Sequence, residues 1–311
     1  MKQIQSKIAQ SKLALPITTV YALLVWVAAG TLTYNWWGQL ALFCLASYLM
    51  VLLNNTHSLI RIYSRLVSCS FIILSCCACF LFPSWRGGLV QMVFVAFYLI
   101  LYLSYQDKRA SGITYYAFVF LGIATIICPQ LLCLLPVIWL LMATKLMSFS
   151  WRTWAASLLG LLTPYWFGVC AMFYFDDFSP AIQLLTTLSD VQPFFAIKLL
   201  TPHQQVLFLF VVILAVMGAT HFLYSAHNDK IRTRMFFHIF IWMDVVCTFC
   251  LLAQSQHYDV LLRLIIINTS PLVGHLFALT SSRTSGILFL ICVGLSLFIT
   301  IANLWTTLSP Y

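Results

Sequence analysis

The sequence contains no glutamate, and only 7% of its 311 residues carry a charged side chain. Soluble domains have about 25% charged residues, so this composition excludes an ordinary soluble domain. Hydrophobic residues make up 62% of the chain. Because about 20 apolar residues cross the hydrocarbon core of a bilayer as a helix, the length accommodates about eleven crossings and little else. We therefore predict a single integral membrane domain over residues 1–311, folded as an all-α, polytopic transmembrane helical bundle.

Long apolar runs alternate with short polar segments along the whole chain. The predicted spans are approximately 14–32, 39–55, 67–83, 89–104, 113–127, 129–144, 154–174, 205–225, 237–253, 261–279 and 286–305. The fifth and sixth spans are separated only at Cys128-Pro129, where the proline disfavours a continued helix. This segment is either a tight hairpin of two spans or one long kinked span, and the second arrangement would invert everything downstream.

The positive charges favour the hairpin. With eleven spans and a cytoplasmic amino terminus, every lysine and arginine falls on the inner side except Arg86, Lys198 and Arg263, and the carboxyl terminus lies outside. Merging the hairpin would destroy this positive-inside bias. The net charge of +9 is then an orientation signal and a partner for anionic lipid headgroups, not a nucleic-acid surface. Membrane lipids are the predicted partners, with other membrane subunits as further candidates.

Basic residues also cluster locally on the predicted inner side. Arg61 and Arg65 follow the second span, and Lys230, Arg232 and Arg234 precede the ninth. Such groups can hold lipid phosphates. Positive-inside topology alone explains them, and it is the favoured interpretation.

Asp244 is the only carboxylate within a predicted span. An ionisable group near the middle of the bilayer is costly, so it faces protein or water and has a partner. The next span supplies Asn268, Thr269 and Ser270, followed by a proline. Asp244 and Ser270 are equally far from His257 along the chain, which places them at similar depth in antiparallel helices. The pattern predicts either a midplane substrate or ion site or a hydrogen bond from Asp244 to Asn268 or Ser270 that holds two helices together.

Histidine and cysteine offer weaker candidates for chemistry. His221, His238 and His275 lie towards the inner ends of their spans and could bind a metal. However, no pair has the helical spacing of metal ligands, and no glutamate is present to bridge two metals. Cys247 and Cys250 form a CxxC pair, but they lie in mid-helix as small packing residues. We predict no metal and no cofactor.

The longest outer segment, residues 175–204, begins with an acidic pair. Asp176 and Asp177 could act as an acid/base or metal-binding pair, or they could simply be solvated. A short helix on the membrane surface is predicted from the apolar residues Ile182, Leu184, Leu185 and Leu188.

Several motifs carry a resemblance to a known family. They are Phe149–Trp154 (FSWRTW), Leu158–Gly160, Thr163–Tyr165, Phe120–Ala124 and Asn268–His275. From about residue 50 to the end, the chain resembles a family of uncharacterised multi-pass membrane proteins of the Bacteroidota. The resemblance implies an inner-membrane location and no particular activity.

The general layout also resembles glycosyltransferases that use polyprenyl-phosphate sugars and have many membrane spans. Those enzymes place a catalytic acid in the first outer loop, but residues 33–38 contain no acid. Only Asp176 and Asp177 could take that role here.

Two classes of function follow from the sequence. The favoured class is a non-enzymatic protein of the cell envelope, either a carrier for a lipid-linked or small amphipathic substrate or an assembly subunit. The alternative is a glycosyltransferase-like enzyme with outward-facing chemistry at Asp176 and Asp177. The first is favoured because the outer side has few polar groups to hold a sugar phosphate.

Overall fold

The computed structural model describes residues 4–179 and 200–308, and all regular secondary structure in these ranges is helical. The helices are α1 (Ile4–Ala9), α2 (Ala14–Ala28), α3 (Thr31–Tyr34), α4 (Trp37–His57), α5 (Leu66–Cys77), α6 (Trp85–Leu101), α7 (Ser111–Ile127), α8 (Leu135–Leu141), α9 (Trp151–Phe175), α10 (Pro202–Ser225), α11 (Ile231–Ala253), α12 (Tyr258–Leu279) and α13 (Arg283–Leu308). Short 3₁₀ turns extend several of them, and a π-helical turn at Met142–Leu146 follows α8.

Among the described residues, eight helical stretches are long and apolar enough to cross a membrane. They are Trp37–His57, Trp85–Ser104, Pro129–Leu146, Trp151–Phe175, Pro202–Asn228, Ile231–Ala253, Ser255–Leu279 and Arg283–Thr306. Shorter apolar helices occupy Ala14–Ala28, Leu66–Cys77 and Ser111–Ile127, where the remaining spans were predicted. The all-α, multi-pass character is therefore confirmed, whereas the number of crossings and the orientation of the termini stay predictions.

Local sequence explains where several helices begin. At the start of α9, the Ser150 hydroxyl accepts from the Thr153 N–H, and the Thr153 hydroxyl accepts from the Ser150 N–H. This reciprocal capping satisfies donors that a helix start otherwise leaves unpaired. The FSWRTW motif is thus the N-terminal cap of α9. A similar box at Thr201 and Gln204, with Pro202 in the first turn, opens α10.

The chain turns back at Cys128-Pro129. Helix α7 ends at Ile127, and a 3₁₀ turn begins at Pro129. On the return, the Leu146 carbonyl accepts from the Gln106 N–H at 2.8 Å. The Ser150 hydroxyl donates to the Lys108 carbonyl, also at 2.8 Å. The end of the second arm therefore lies beside the start of the first, which confirms the hairpin over a single kinked helix.

Helix α12 is the axis of the bundle. In the apolar segment of α12, 94% of the residues are buried inside the bundle, whereas only 11% are buried in that of α9. It packs against α5, α6, α10 and α11. The approach to α5 is close because Gly274 has no side chain: a Cβ there would lie 2.8 Å from the Val67 nitrogen. Small residues at such positions are typical of helix contacts in membranes.

Contacts between loops define two ends of the bundle, named here by one residue each. At the Arg61 end, the Arg61 guanidinium reaches the Asn228 carbonyl near the carboxyl end of α12. At the Asp259 end, the Ser84 hydroxyl donates to Asp259, and the Tyr258 hydroxyl donates to the Gln204 carbonyl. The charge pattern predicts that the Arg61 end is cytoplasmic.

Candidate functional site

Helix α12 carries polar side chains along its whole buried length. From the Asp259 end to the Arg61 end, they are Asp259, Arg263, Asn268, Thr269, Ser270 and His275. All except Asp259 are buried. Because polar groups at membrane depth are costly unless they are partnered, they define the candidate site.

At the centre, Asp244 of α11 contacts α12. Its residue surface is 4% exposed. The Thr269 hydroxyl donates to the carboxylate, at 3.2 Å from Oδ2 and 3.4 Å from Oδ1. Asp244 therefore lies at the depth of the 268–270 segment, as predicted. Its hydrogen-bond partner, however, is Thr269 rather than Asn268 or Ser270. An ionised carboxylate offers about four acceptor positions, and Thr269 supplies the one hydrogen-bond donor that the described chain gives it.

The residues on either side of Thr269 face other helices. The Asn268 side-chain oxygen, Oδ1, accepts from the Tyr98 hydroxyl of α6 at 2.7 Å. The Ser270 hydroxyl bonds back to its own helix, and the Ser270 carbonyl accepts from the Ser70 hydroxyl of α5 at 2.9 Å. Within the described ranges, the Asn268 amide nitrogen and the Tyr102 hydroxyl are buried without a hydrogen-bond partner. Unlike a fully satisfied lock between helices, the centre of the bundle retains unused hydrogen-bonding capacity.

At the Asp259 end, Arg263 forms a buried network that the sequence reasoning missed. The charge pattern predicts Arg263 on the outer side, but its guanidinium lies inside the bundle. It donates to Asp259 Oδ1 at 2.7 Å, to Gln91 Oε1 at 2.8 Å and to the Leu81 carbonyl. The available signal was the spacing of Asp259 and Arg263, four residues apart on one helical face.

At the Arg61 end, a second buried acid was missed. Asp229 is 8% exposed. The His275 Nε2 lies 2.9 Å from Asp229 Oδ2, and the Arg61 Nε lies 4.0 Å from Oδ1. The sequence predicts Asp229 in an inner loop among basic residues, where an acid is expected to be solvated. It instead ties the 226–230 loop to α12.

The three candidate metal-binding histidines do not meet at one point. The rings of His221 and His275 have centroids 5.6 Å apart, but the His238 ring packs on Phe222. Over residues 4–179 and 200–308, no group of three His, Cys, Asp or Glu residues is arranged to hold a metal ion. Cys247 is buried and Cys250 is half-buried within α11.

The acidic pair lies at the end of α9, away from α12. Asp176 ends the helix in a left-handed conformation, and both residues are exposed. Asp177 Oδ1 accepts from the Ser179 N–H at 2.9 Å. Hydrogen bonds from Ser179 hold the pKa of Asp177 below its usual value. Asp177 is therefore ionised near neutral pH and is unsuited to act as a general acid.

The rest of the 175–204 segment is largely outside the described residues. This applies to the predicted surface helix with Ile182, Leu184, Leu185 and Leu188.

Among the cavities of the described chain, three with volumes of about 320 Å³ or more lie on or near α12. The first, which we call the membrane cavity, has about 320 Å³ and an almost wholly apolar lining from α2, α5, α10, α12 and α13. The second, the Arg61 cavity, has about 320 Å³ and is lined largely by polar side chains of the 54–64 and 229–233 segments. The third, the Asp259 cavity, has about 440 Å³. None of the three is lined by Asp244 or Thr269.

Comparison of the sequence with protein-family models and with curated proteins, and of the structure with solved structures, gave no match. The resemblances to the Bacteroidota family and to the glycosyltransferases therefore stay predictions.

Proposed function

We propose that this protein is a carrier for an amphipathic, lipid-like substrate in the inner membrane. The observation that carries the proposal is the membrane cavity, because it is bounded by the same helix, α12, that holds the Asp244–Thr269 contact. An apolar cavity beside a polar midplane contact suits a substrate with a hydrocarbon part and a polar part.

The membrane cavity has the size and chemistry for a hydrocarbon chain. Its volume of about 320 Å³ is roughly twice that of an engineered apolar cavity of about 150 Å³ that stays dry and binds benzene. Ile17 and Leu290, which line it, are exposed on the outside of the bundle. A tail could therefore enter from the surrounding lipid without crossing a polar barrier.

The ends of α12 supply the access that a carrier needs. A polar cavity lies at each end, and the fully buried middle of the helix separates them. Many carriers place their site at the midplane and expose it alternately to the two sides. In our proposal, the structure represents the occluded form, and movement of the helices around α12 opens Asp244 first to one end and then to the other.

Asp244 couples this movement to a proton in the proposed mechanism. The carboxyl group can exchange a proton when the site opens, and Thr269 fixes its position on α11 relative to α12. The incomplete hydrogen bonding around Asp244 and Asn268 leaves acceptors and donors for the arriving proton or for the polar part of the substrate. A subunit with a purely structural Asp244 would need none of this capacity.

The enzyme alternative receives less support from the geometry. Asp176 and Asp177 are exposed at the end of the most peripheral long helix, and none of the three cavities is lined by either residue.

Translocation in proteoliposomes tests the carrier proposal. A fluorescent phospholipid with a short labelled tail is placed in both leaflets, and a membrane-impermeant reductant quenches the outer leaflet. We expect wild-type protein to expose the inner pool to quenching. The change Val293→Trp fills the membrane cavity and should slow translocation.

Leu297→Trp is the matched control, because Leu297 lies on the same helix with 42% exposure and is not among the residues that line the cavity. Equal rates for Val293→Trp and Leu297→Trp would contradict the assignment of the cavity. A wild-type rate equal to that of empty vesicles would contradict the carrier proposal itself.

A further inference from the structure

We infer that the Arg61 cavity is a binding site for a phosphate ester, and that the head group of the carried lipid is of this class. The inference rests on the proposed function only where it links the phosphate to a lipid tail. The phosphate site itself is argued from the side chains of the cavity.

The cations of the cavity have hydrogen-bonding capacity to spare. Arg61 is 43% exposed at its side chain, and its two contacts are long, at 3.4 Å to the Asn228 carbonyl and 4.0 Å to Asp229. Because a guanidinium carries five N–H donors, most of its donors remain available to a ligand. Lys230 also lines the cavity and makes no ion pair in the part of the chain that the structure describes.

The amino terminus of α11 adds a second anion-binding feature. Lys230 is the N-cap residue of this 23-residue helix, and its side chain makes no capping hydrogen bond. Thr233, three positions later, also lines the cavity. The unpaired N–H groups of a helix start favour a phosphate oxygen. The cavity therefore combines two flexible cations, a helix terminus and a hydroxyl group.

The lining of the cavity includes an acceptor without a partner among the residues that the structure describes. This acceptor belongs to Asn54, which is 7% exposed. Its amide nitrogen donates to the Ser64 carbonyl at 3.0 Å, but within the described chain its side-chain oxygen has no hydrogen-bond partner. An anion without an O–H or N–H group would not satisfy this oxygen. A phosphate ester with a hydroxyl or amino group would do so, while its phosphate faces Arg61 and Lys230.

The one carboxylate in the cavity wall is already engaged. Asp229 lines the cavity, but it is hydrogen-bonded to His275 at 2.9 Å and lies within 4.0 Å of Arg61. Asp229 therefore orients Arg61 and offsets one of the two positive charges. A net positive cavity remains for a phosphate anion.

The Arg61 cavity lies next to the membrane cavity along the chain. Ser64 lines the first and Leu66 lines the second. Residues two apart are separated by at most about 7 Å. The walls of the two cavities therefore meet at the 64–66 segment, and our inference places the phosphate of one lipid in the Arg61 cavity and its tail in the membrane cavity, as for an anionic phospholipid or a lipid-linked phosphate.

Binding of two probes by the purified protein in a maltoside detergent tests this inference. Isothermal titration calorimetry is performed with glycerol 3-phosphate and with dihexanoyl phosphatidylglycerol. Loss of the charged hydrogen bonds in Arg61→Gln should weaken binding of a responsive probe by about 10-fold to 100-fold. Arg109→Gln is the matched control, because Arg109 is exposed and lies in another loop on the same predicted side.

The pattern of binding separates the sources of the phosphate. Arg61-dependent binding of both probes supports a site open to free phosphate esters, and Arg61-dependent binding of the lipid alone assigns a lipid source. Equal affinities in Arg61→Gln and Arg109→Gln, or no saturable binding of either probe, would overturn the inference. Val293→Trp should weaken binding of the lipid probe and leave binding of glycerol 3-phosphate unchanged. If wild-type protein binds glycerol 3-phosphate normally but translocates no lipid, the carrier proposal is rejected and the phosphate site is kept.

Discussion

Replacing Arg263 with methionine should destabilise the protein strongly, because methionine has a similar length but donates no hydrogen bond. Two of the three acceptors that Arg263 now serves are the Leu81 carbonyl and the side chain of Gln91, a residue that is 3% exposed. The third, Asp259, is 32% exposed at its side chain and can turn towards water. Two buried acceptors thus lose a charged donor at about 1.5–3 kcal/mol each. The expected loss in free energy of unfolding is therefore about 3–6 kcal/mol, close to the roughly 3–5 kcal/mol that is typical of a broken buried pair.

The measurement is equilibrium unfolding by sodium dodecyl sulfate in mixed micelles. Unfolding can be followed by a thiol-reactive fluorophore, because Cys76 and Cys77 of α5 are completely buried in the fold. Arg86→Met is the control, since Arg86 is exposed in the first turn of α6 at the same end of the bundle. A surface change of this kind should stay within about 0.5 kcal/mol of wild type. If Arg263→Met also stays within that margin, the reasoning on the buried network is refuted.

Three further predictions concern α12 and the acidic pair. Gly274→Ala should lower the free energy of unfolding by about 1–3 kcal/mol, because the added Cβ would press on the backbone of α5. The control is Gly294→Ala on α13, where a Cβ would meet open space, and it should cost nothing in the same unfolding assay. Asp244→Asn should remain within about 1 kcal/mol of wild type in that assay, because the asparagine oxygen can still accept from Thr269; a loss above about 3 kcal/mol would mean a structural role. Asp177→Asn should leave translocation and phosphate binding unchanged, whereas a transferase would lose its activity.

The positions of the helices could be predicted because they depend on the length of apolar runs. Each predicted span coincides with an apolar helix, and the hairpin at Cys128-Pro129 follows from proline chemistry and from the charge bias. Depth could also be predicted, because a helix rises by a fixed 1.5 Å per residue. That rise is why Asp244 lies beside the 268–270 segment.

The direction in which each side chain points could not be predicted. Consecutive helical residues differ by about 100° around the axis. The Asn268 side chain therefore faces α6 and the Thr269 side chain faces α11, although they lie at nearly the same depth. The Ser270 hydroxyl bonds back to its own helix, and only its backbone carbonyl contacts α5. Which one meets Asp244 depends on the rotation of α12, and this rotation is set by packing contacts far apart in the sequence. The burial of Arg263 and Asp229 could not be predicted for the same reason. Both residues lie near the ends of spans, where a charged side chain is expected to reach water.

The most direct test of the carrier account is phospholipid translocation by Asp244→Asn in proteoliposomes, compared with wild type at equal protein content. The account predicts that the variant folds and inserts normally but does not translocate, because asparagine keeps the contact with Thr269 and cannot exchange a proton. Translocation by Asp244→Asn at the wild-type rate would contradict the account and leave Asp244 as a contact between helices.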